Sequence, residues 1–296
     1  MMKKSYPLVW RLCLSIFMST SFVCMADDSE TLATRLWTAQ FEQLPEIRAD
    51  LAELPLERFP FLFAAIYGVP QCNDEGAPML VGTVLKVYVE RVGQTNSTDR
   101  VLAIVRSPDA PSALKRDLLR DVQHWTSSED LESIINKLDG IGKPGEDVWL
   151  YAQYGASKLL RAGYSQSKRK PEVAPNLAKV EDISGARSKV IMRDLLTHYS
   201  DDTNLEPWTA KIIANYRRIT PQEVDAALVS EFSRGNMGVS KQLAILDLFC
   251  GGGGSQSEGV ATYVKRMMDE AVQQGKPLAG SDAEMAERLL LLHGQR

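Results

Sequence analysis

Apolar residues return every three or four positions along most of this chain. Leu131, Ile134, Ile135 and Leu138 fall at i, i+3, i+4 and i+7 behind the polar lead-in Ser127-Ser128-Glu129-Asp130, and Gly140 follows as a stop. Val260, Tyr263, Val264, Met267, Met268, Ala271 and Val272 hold the same period up to Gly275 and Pro277. Thr220-Pro221-Gln222-Glu223 combines a capping box with proline at the first helical position, and Val224, Ala227, Leu228 and Phe232 then share one face. Ser281-Asp282-Ala283-Glu284 repeats that chemistry before Met285 and Leu289 to Leu292. Oxygen-bearing side chains at such positions accept from the amide donors that a first turn leaves orphaned.

Further helices are predicted over 30–44, 56–67, 77–92, 98–106, 111–124, 147–163, 185–199 and 207–218. Val81 to Val92 is the richest in β-branched residues, yet Val81, Val84, Leu85, Tyr88, Val89 and Val92 keep the helical period. No hairpin signal or run of alternating strands is present, so the expected fold is all-α, built of antiparallel helical hairpins. Phe59, Phe61, Phe63 and Tyr67, with Leu62 and Ile66, make 56–67 apolar nearly all round and predict a central core helix. Trp149, Tyr151 and Tyr154 cluster on a later helix, in the core or lining a groove. Ser165 to Asp182 holds Pro171, Pro175 and Lys168-Arg169-Lys170 without periodicity, which predicts a linker or long loop. The expected organisation is a helical domain over 27–164, the linker 165–182 and a second helical domain over 183–296.

Composition changes the picture mainly at the amino terminus. Lys3, Lys4 and Arg11 precede an apolar stretch from Leu12 to Val23, and the chain turns acidic at Asp27-Asp28-Ser29-Glu30. A basic start, a short apolar run and small residues before a polar segment predict a signal peptide over 1–26, cut after Ala26. Such a stretch falls short of the about 20 residues needed to span a bilayer. Cys24 would be the anchor in a lipoprotein reading, although Val23 before it is large for such a site. The expected location is therefore periplasmic or secreted, with no transmembrane segment in the processed chain. The whole chain has 34 basic and 38 acidic residues. Removal of 1–26 leaves 31 against 38, a net charge of −7. That balance argues against a nucleic-acid partner, and it leaves Lys168-Arg169-Lys170 as a solvated charge run.

The segment Gly238-Val239-Ser240-Lys241-Gln242-Leu243-Ala244-Ile245-Leu246 through Val260-Ala261-Thr262-Tyr263-Val264 resembles a HEAT-like repeat. The resemblance covers 220–293, where helices and turns alternate in hairpins of roughly 40 residues, with 111–163 as a further candidate. It implies a curved helical stack that offers a surface to another macromolecule. A second, local resemblance lies inside it. Leu246-Asp247-Leu248-Phe249-Cys250-Gly251-Gly252-Gly253-Gly254-Ser255 is similar to the S-adenosylmethionine-binding motif of cytosine-C5 DNA methyltransferases. That motif implies Ala244 to Leu246 as a strand, a glycine turn against the cofactor and a following helix. Only 42 residues follow Gly254, and no catalytic Pro-Cys dipeptide is present, Val69-Pro70-Gln71-Cys72 having the letters in another order. A helix ending at Phe249 or Cys250, with glycines beyond its last turn, is the preferred reading.

Little else in the sequence points to chemistry. His124, His198 and His293 sit where helix ends favour a cation, and no paired spacing suggests a metal site. No cofactor motif survives, and no nucleophile elbow is present. Cys72 and Cys250 are the cysteines beyond the signal. An even count in an oxidising compartment permits a disulfide worth about 4–5 kcal/mol in the chain-entropy account, against two buried thiols as the alternative. The expected function is binding or scaffolding, with a protein or cell-wall partner. The catalytic alternative is a peptidoglycan hydrolase using Glu57, Glu75 or Glu90 as general acid, Glu75 lying in a loop rich in turn residues.

Overall fold

The helical period of 77–92 produces α4 (Gly76–Val92), the helix around which the first part of the chain is built. The computed structural model describes residues 29–73, 75–126, 131–172, 176–199, 207–234, 237–250 and 257–294. The signal-peptide segment with Cys24, the polar lead-in 127–130 and the glycines of 251–254 lie outside the described residues. Among those described the chain is helical with no strand. It divides into two compact units between Thr126 and Ser127.

The first unit contains α1 (29–38), α2 (Leu44–Glu53), α3 (Phe59–Gly68), α4, α5 (Gln94–Arg106) and α6 (Ser112–Arg120). Helix α4 packs against α2, α3, α5 and α6. Its Val81, Val84, Leu85 and Tyr88 are buried together with Phe59, Leu62, Phe63 and Ile66 of α3. The rings of Phe59 and Tyr88 lie 4.9 Å apart, and Phe63 meets Tyr88 edge-on at 6.2 Å. Full burial of side chains of this size is worth about 1.5–3 kcal/mol each. Helix α3 was expected at the centre, but α4 occupies that place. Phe61 and Tyr67 of α3 stay half-buried, and the Tyr67 hydroxyl donates to the buried Asp117 at 2.5 Å. Gly93 alone separates α4 from α5, and its φ of 78° is the left-handed value that lets two helices meet through one residue. Trp125 closes the unit. It is fully buried, its indole donates to Leu118 O at 2.8 Å, and its own carbonyl accepts from Ser97 and Thr98.

The second unit holds α7 (Leu131–Asp139), α8 (Asp147–Arg169), α9 (Leu177–Tyr199), α10 (Pro207–Arg217), α11 (Pro221–Arg234), α12 (Val239–Cys250), α13 (Glu258–Gln273) and α14 (Ser281–Gly294). Helices two apart in sequence pack as neighbours: α8 on α10, α10 on α12 and α12 on α14, with α9 on α11 and α11 on α13 beside them. These alternate helices run parallel. Tyr154 meets Trp208, and further along both helices Ser157 and Arg161 bond Asn215. On α12 and α14, Ser240 bonds Asp282, Asp247 pairs with Arg288 and the Cys250 carbonyl meets His293, in ascending order on both helices. Consecutive helices are antiparallel, since Trp149 and Gln153 of α8 meet Tyr199 and Arg187 of α9. The result is two layers of helices, each internally parallel.

Two expectations require correction. The domain division falls at Thr126/Ser127, whereas 165–182 belongs to the second unit, with α8 running to Arg169 and α9 starting at Leu177. Pro171 bounds only a short break, and the α8 and α9 that flank it pack on each other. Helix α2, with proline in its first turn and only Ile47 and Leu51 buried, was absent from the expected set. Ala244 to Leu246 lies inside α12, which runs to Cys250 as the preferred helix reading has it, and not in the strand that the methyltransferase motif would need.

Candidate functional site

The three glutamates proposed as general acids are all solvent-exposed and stand on separate elements of the first unit. Glu57 lies in the turn Leu56–Arg58, Glu75 precedes α4, and Glu90 on α4 is 3.5 Å from Arg48. The deeply buried acids are Asp117 and Asp225, and both are neutralised by their neighbours. Asp117 accepts from Tyr67 and lies 3.1 Å from Arg116 and 3.5 Å from Arg120. Burial, and then the Asp117 hydrogen bond, hold the Tyr67 hydroxyl well above the ordinary tyrosine range. Asp225 is 2% exposed and receives Arg217 through two bonds of 2.8 and 3.3 Å.

Cys72 and Cys250 form no disulfide, which removes the cross-link and its stabilisation from the picture. Cys250 is buried at the end of α12 with its sulfur turned to Asp225 at 3.5 Å. Burial, and then the Asp225 charge, push this thiol far above its ordinary range and make it a poor nucleophile. The helix-end reading of the histidines holds for position only. His293 lies in the last turn of α14 and is buried; its Nδ1 accepts from Ser257 N at 2.9 Å and its Nε2 faces the Cys250 carbonyl at 3.0 Å. One imidazole on α14 thereby ties the end of α12 to the start of α13. Among the described residues no cluster of three or more His, Cys, Asp or Glu side chains is arranged to hold a metal, and no helix is long and apolar enough to cross a membrane.

A polar connector joins four helices of the second unit. Arg187 of α9 pairs with Asp139 of α7, donates to Gln153 of α8 at 2.9 Å and to the Tyr216 hydroxyl of α10 at 2.9 Å. Burial opposes the guanidinium charge, but Tyr216 and Asp139 more than compensate and raise its proton affinity. This network fixes helix register, and its donors and acceptors are consumed internally.

Two surface features of the second unit stand out among the described residues. The first is an open cavity of about 810 Å³ among α11, α12, α13 and the α13–α14 connection. Phe232, Tyr263 and Met267 form its buried floor, where Tyr263 donates to Gln242 at 2.5 Å. Arg266 lies over the Tyr263 ring at 5.0 Å, and Glu270, Lys276 and Asp282 mix both charges around the rim. The volume falls within the range of about 300–1,000 Å³ usual for ligand sites.

The second surface is the seam of α8 and α10. Trp208 opens α10 and is met edge-on by Tyr154 at 4.7 Å and by Tyr151 at 5.5 Å, with all three rings half-buried. Lys158 lies over Tyr154 at 5.6 Å and Lys211 over Trp208 at 5.0 Å. Trp149 and Tyr199 stack alongside at 5.8 Å, within 2° of parallel. The sequence reading singled out Trp149, Tyr151 and Tyr154 but missed Trp208. The groove and core alternatives divide between them, since Trp149 is buried whereas Tyr151 and Tyr154 line the seam.

These features define an all-α protein whose second unit is a layered helical stack. No family model, curated protein or solved structure matches the chain.

Proposed function

We propose that this chain is an exported helical-repeat binding protein of the bacterial envelope, which acts by presenting a helical face to a protein partner. The observation that carries this reading is the register of the second unit. Paired positions on α12 and α14 stand 41 to 43 residues apart, within the about 40–47 residues of HEAT-like repeats, while those on α8 and α10 stand 54 to 58 apart. Parallel alternate helices in two layers are what stacked two-helix repeats produce, because each repeat buries its apolar face on the next. Such a stack leaves its outer seams open for recognition. Export rests on the basic and apolar start of the chain and on the turn to acidic residues at Asp27. The hydrolase alternative finds no support in Glu57, Glu75 and Glu90, which are exposed and line none of the cavities described above.

The test is capture from an envelope fraction by the form beginning at Asp27, with bound proteins identified by mass spectrometry. Recovery of one stoichiometric protein partner is the expected result. Release of soluble fragments from purified peptidoglycan, abolished by a Gln substitution at one of the three glutamates, would replace this reading with the enzymatic one.

A further inference from the structure

We propose that the cavity along α13 is a trough for one extended, uncharged segment of a partner protein, whose alternate apolar side chains rest on a floor of Tyr263, Met267 and Ala271. The inference rests on the binding-protein reading and names the site, together with the conformation and chemistry of what enters it.

The helical period of α13 lays out the trough. Tyr263, Met267 and Ala271 recur every fourth residue on one face, each at most 9% exposed, and form the floor. Arg266, Glu270 and Gln274 follow at the same period beside them. The remaining sides come from the end of α11, the start of α12 and the connection 276–279. From Tyr263 to Gln274 the helix rises about 16 Å, so a volume of about 810 Å³ corresponds to a mean cross-section of about 50 Å². One extended chain within a stack of sheets occupies about 4.8 by 10 Å, nearly the same area. A helix with its side chains is about 10–12 Å across and too wide. The floor residues stand about 6 Å apart along the axis, close to the about 6.7 Å between alternate side chains of an extended chain. About five residues of such a chain span the trough.

The polar groups around the floor set the chemistry. Arg266 and Lys276 are balanced by Glu270 and Asp282, so the trough offers no net charge to an acidic or a basic ligand. Arg266 is shared between Glu270 at 3.7 Å and Ser233, and Asp282 accepts from Ser240. Gln274 and Lys276 are exposed at the rim, and among the described residues their side chains have no hydrogen-bond or ion-pair partner. An amide side chain donates and accepts at once, which matches the N–H and C=O groups along an extended main chain. Main-chain bonds for affinity and pockets for alternate side chains are the usual logic of extended-peptide recognition. Phe232 and Tyr263 are both buried, Tyr263 beneath Arg266 at 5.0 Å, so no ring face is open to stack a sugar. An acyl chain would leave Gln274 and Lys276 unanswered.

The deciding experiment pans a random library of displayed heptapeptides (about seven residues, to overhang both ends of the trough) against the full-length protein. A selected peptide is then titrated against wild type, Ala271→Trp, which fills the trough, and Gln274→Ala, which removes the exposed amide. Lys265→Ala, exposed on α13 and outside the trough, is the control. All forms are first checked for matching helical circular dichroism. The expected result is enrichment of peptides with large apolar residues two positions apart and no bias in charge. Binding should weaken about ten-fold or more in Ala271→Trp and about three-fold in Gln274→Ala, and should persist in the control. Methylating the backbone nitrogen between the two apolar residues should weaken it as well, and added salt should change it little. If Ala271→Trp does not fold, Gln274→Ala and the methylated peptide decide the matter. No selection, apolar residues spaced three or four apart, a charged consensus, or unchanged binding to the folded variants would each overturn the proposal. So would uptake of a fluorescent fatty acid, blocked by Ala271→Trp, in place of peptides. If one envelope protein is captured equally by wild type and Ala271→Trp, the binding reading stands and only the trough assignment falls.

Discussion

Removing the carboxylate of Asp225 should destabilise the second unit more than any surface change, because it takes the opposite charge away from a buried cation. Arg217 and Asp225 are 7% and 2% exposed and joined by two hydrogen bonds, so the guanidinium meets this carboxylate in a buried setting. Breaking one side of such a pair costs about 3–5 kcal/mol. For a domain of this size each kcal/mol lowers Tm by about 2–4 °C, so Asp225→Ala should lower it by about 6–20 °C. Part of that loss falls on Cys250, whose thiol loses its acceptor at 3.5 Å. The pair itself is a different matter. Replacing both residues with apolar side chains of similar volume removes the desolvation cost along with the attraction, and such exchanges are often neutral or stabilising. Arg217→Met with Asp225→Leu should therefore recover most of the lost stability. Urea and thermal unfolding followed by helical circular dichroism measure both variants. A cost below about 1 kcal/mol for Asp225→Ala, or a double variant no more stable than the single one, would refute the argument that the pair is a desolvated unit.

Other consequences are open to direct measurement. His293→Ala leaves the Ser257 amide and the Cys250 carbonyl without their partner, and each buried group so stranded costs about 1–3 kcal/mol; hydrogen exchange at the Ser257 amide should accelerate at least ten-fold. In the form beginning at Asp27, Cys250 should resist a thiol reagent until the protein is unfolded, as its burial and raised proton affinity require, whereas the partly exposed Cys72 need not; rapid labelling mapped to Cys250 in the native protein would contradict its placement. Tyr67, Tyr199, Tyr216 and Tyr263 all hold their protons above the ordinary tyrosine value, burial being the leading cause in each and Tyr199 being pushed up to about 12. The unfolded chain releases those protons from about pH 10 upward, so stability should be complete below that value and decline as the pH rises toward 12. Ultraviolet titration of tyrosinate alongside circular dichroism would show ionisation and unfolding together, and early ionisation without loss of helix would contradict this.

What the sequence disclosed and what it concealed follow from how burial is achieved. The helices read most easily, at 131–138, 221–234 and 259–274, bury Ile, Leu, Val, Met and Phe at the helical period, and a hydrophobic pattern detects them. The first part of α9 escaped because its buried face is built from hydroxyls as well as hydrocarbon. Val180, Ser184 and Ser188 all point inward, and Ser184 Oγ lies 2.9 Å from Thr220 Oγ1. To a hydrophobic scale those serines read as surface, so the segment resembled a linker. The same contact engages the Thr220 hydroxyl, which the capping-box pattern assigned to a helix start. Within one helix, spacing brought Tyr151 and Tyr154 together and so disclosed half of the aromatic seam. Trp208 joins them across more than fifty positions, through the parallel register of α8 and α10 fixed by Asn215 with Ser157 and Arg161. Nothing local to Trp208 signals that register. It arises because consecutive helices return antiparallel and the next one returns again, so any surface on such a stack is assembled from residues one full repeat apart. Candidate sites in sequences of this kind are therefore better sought by comparing helix faces one repeat apart than by scanning for a contiguous motif, and the glycine run after Cys250 illustrates the hazard of the latter.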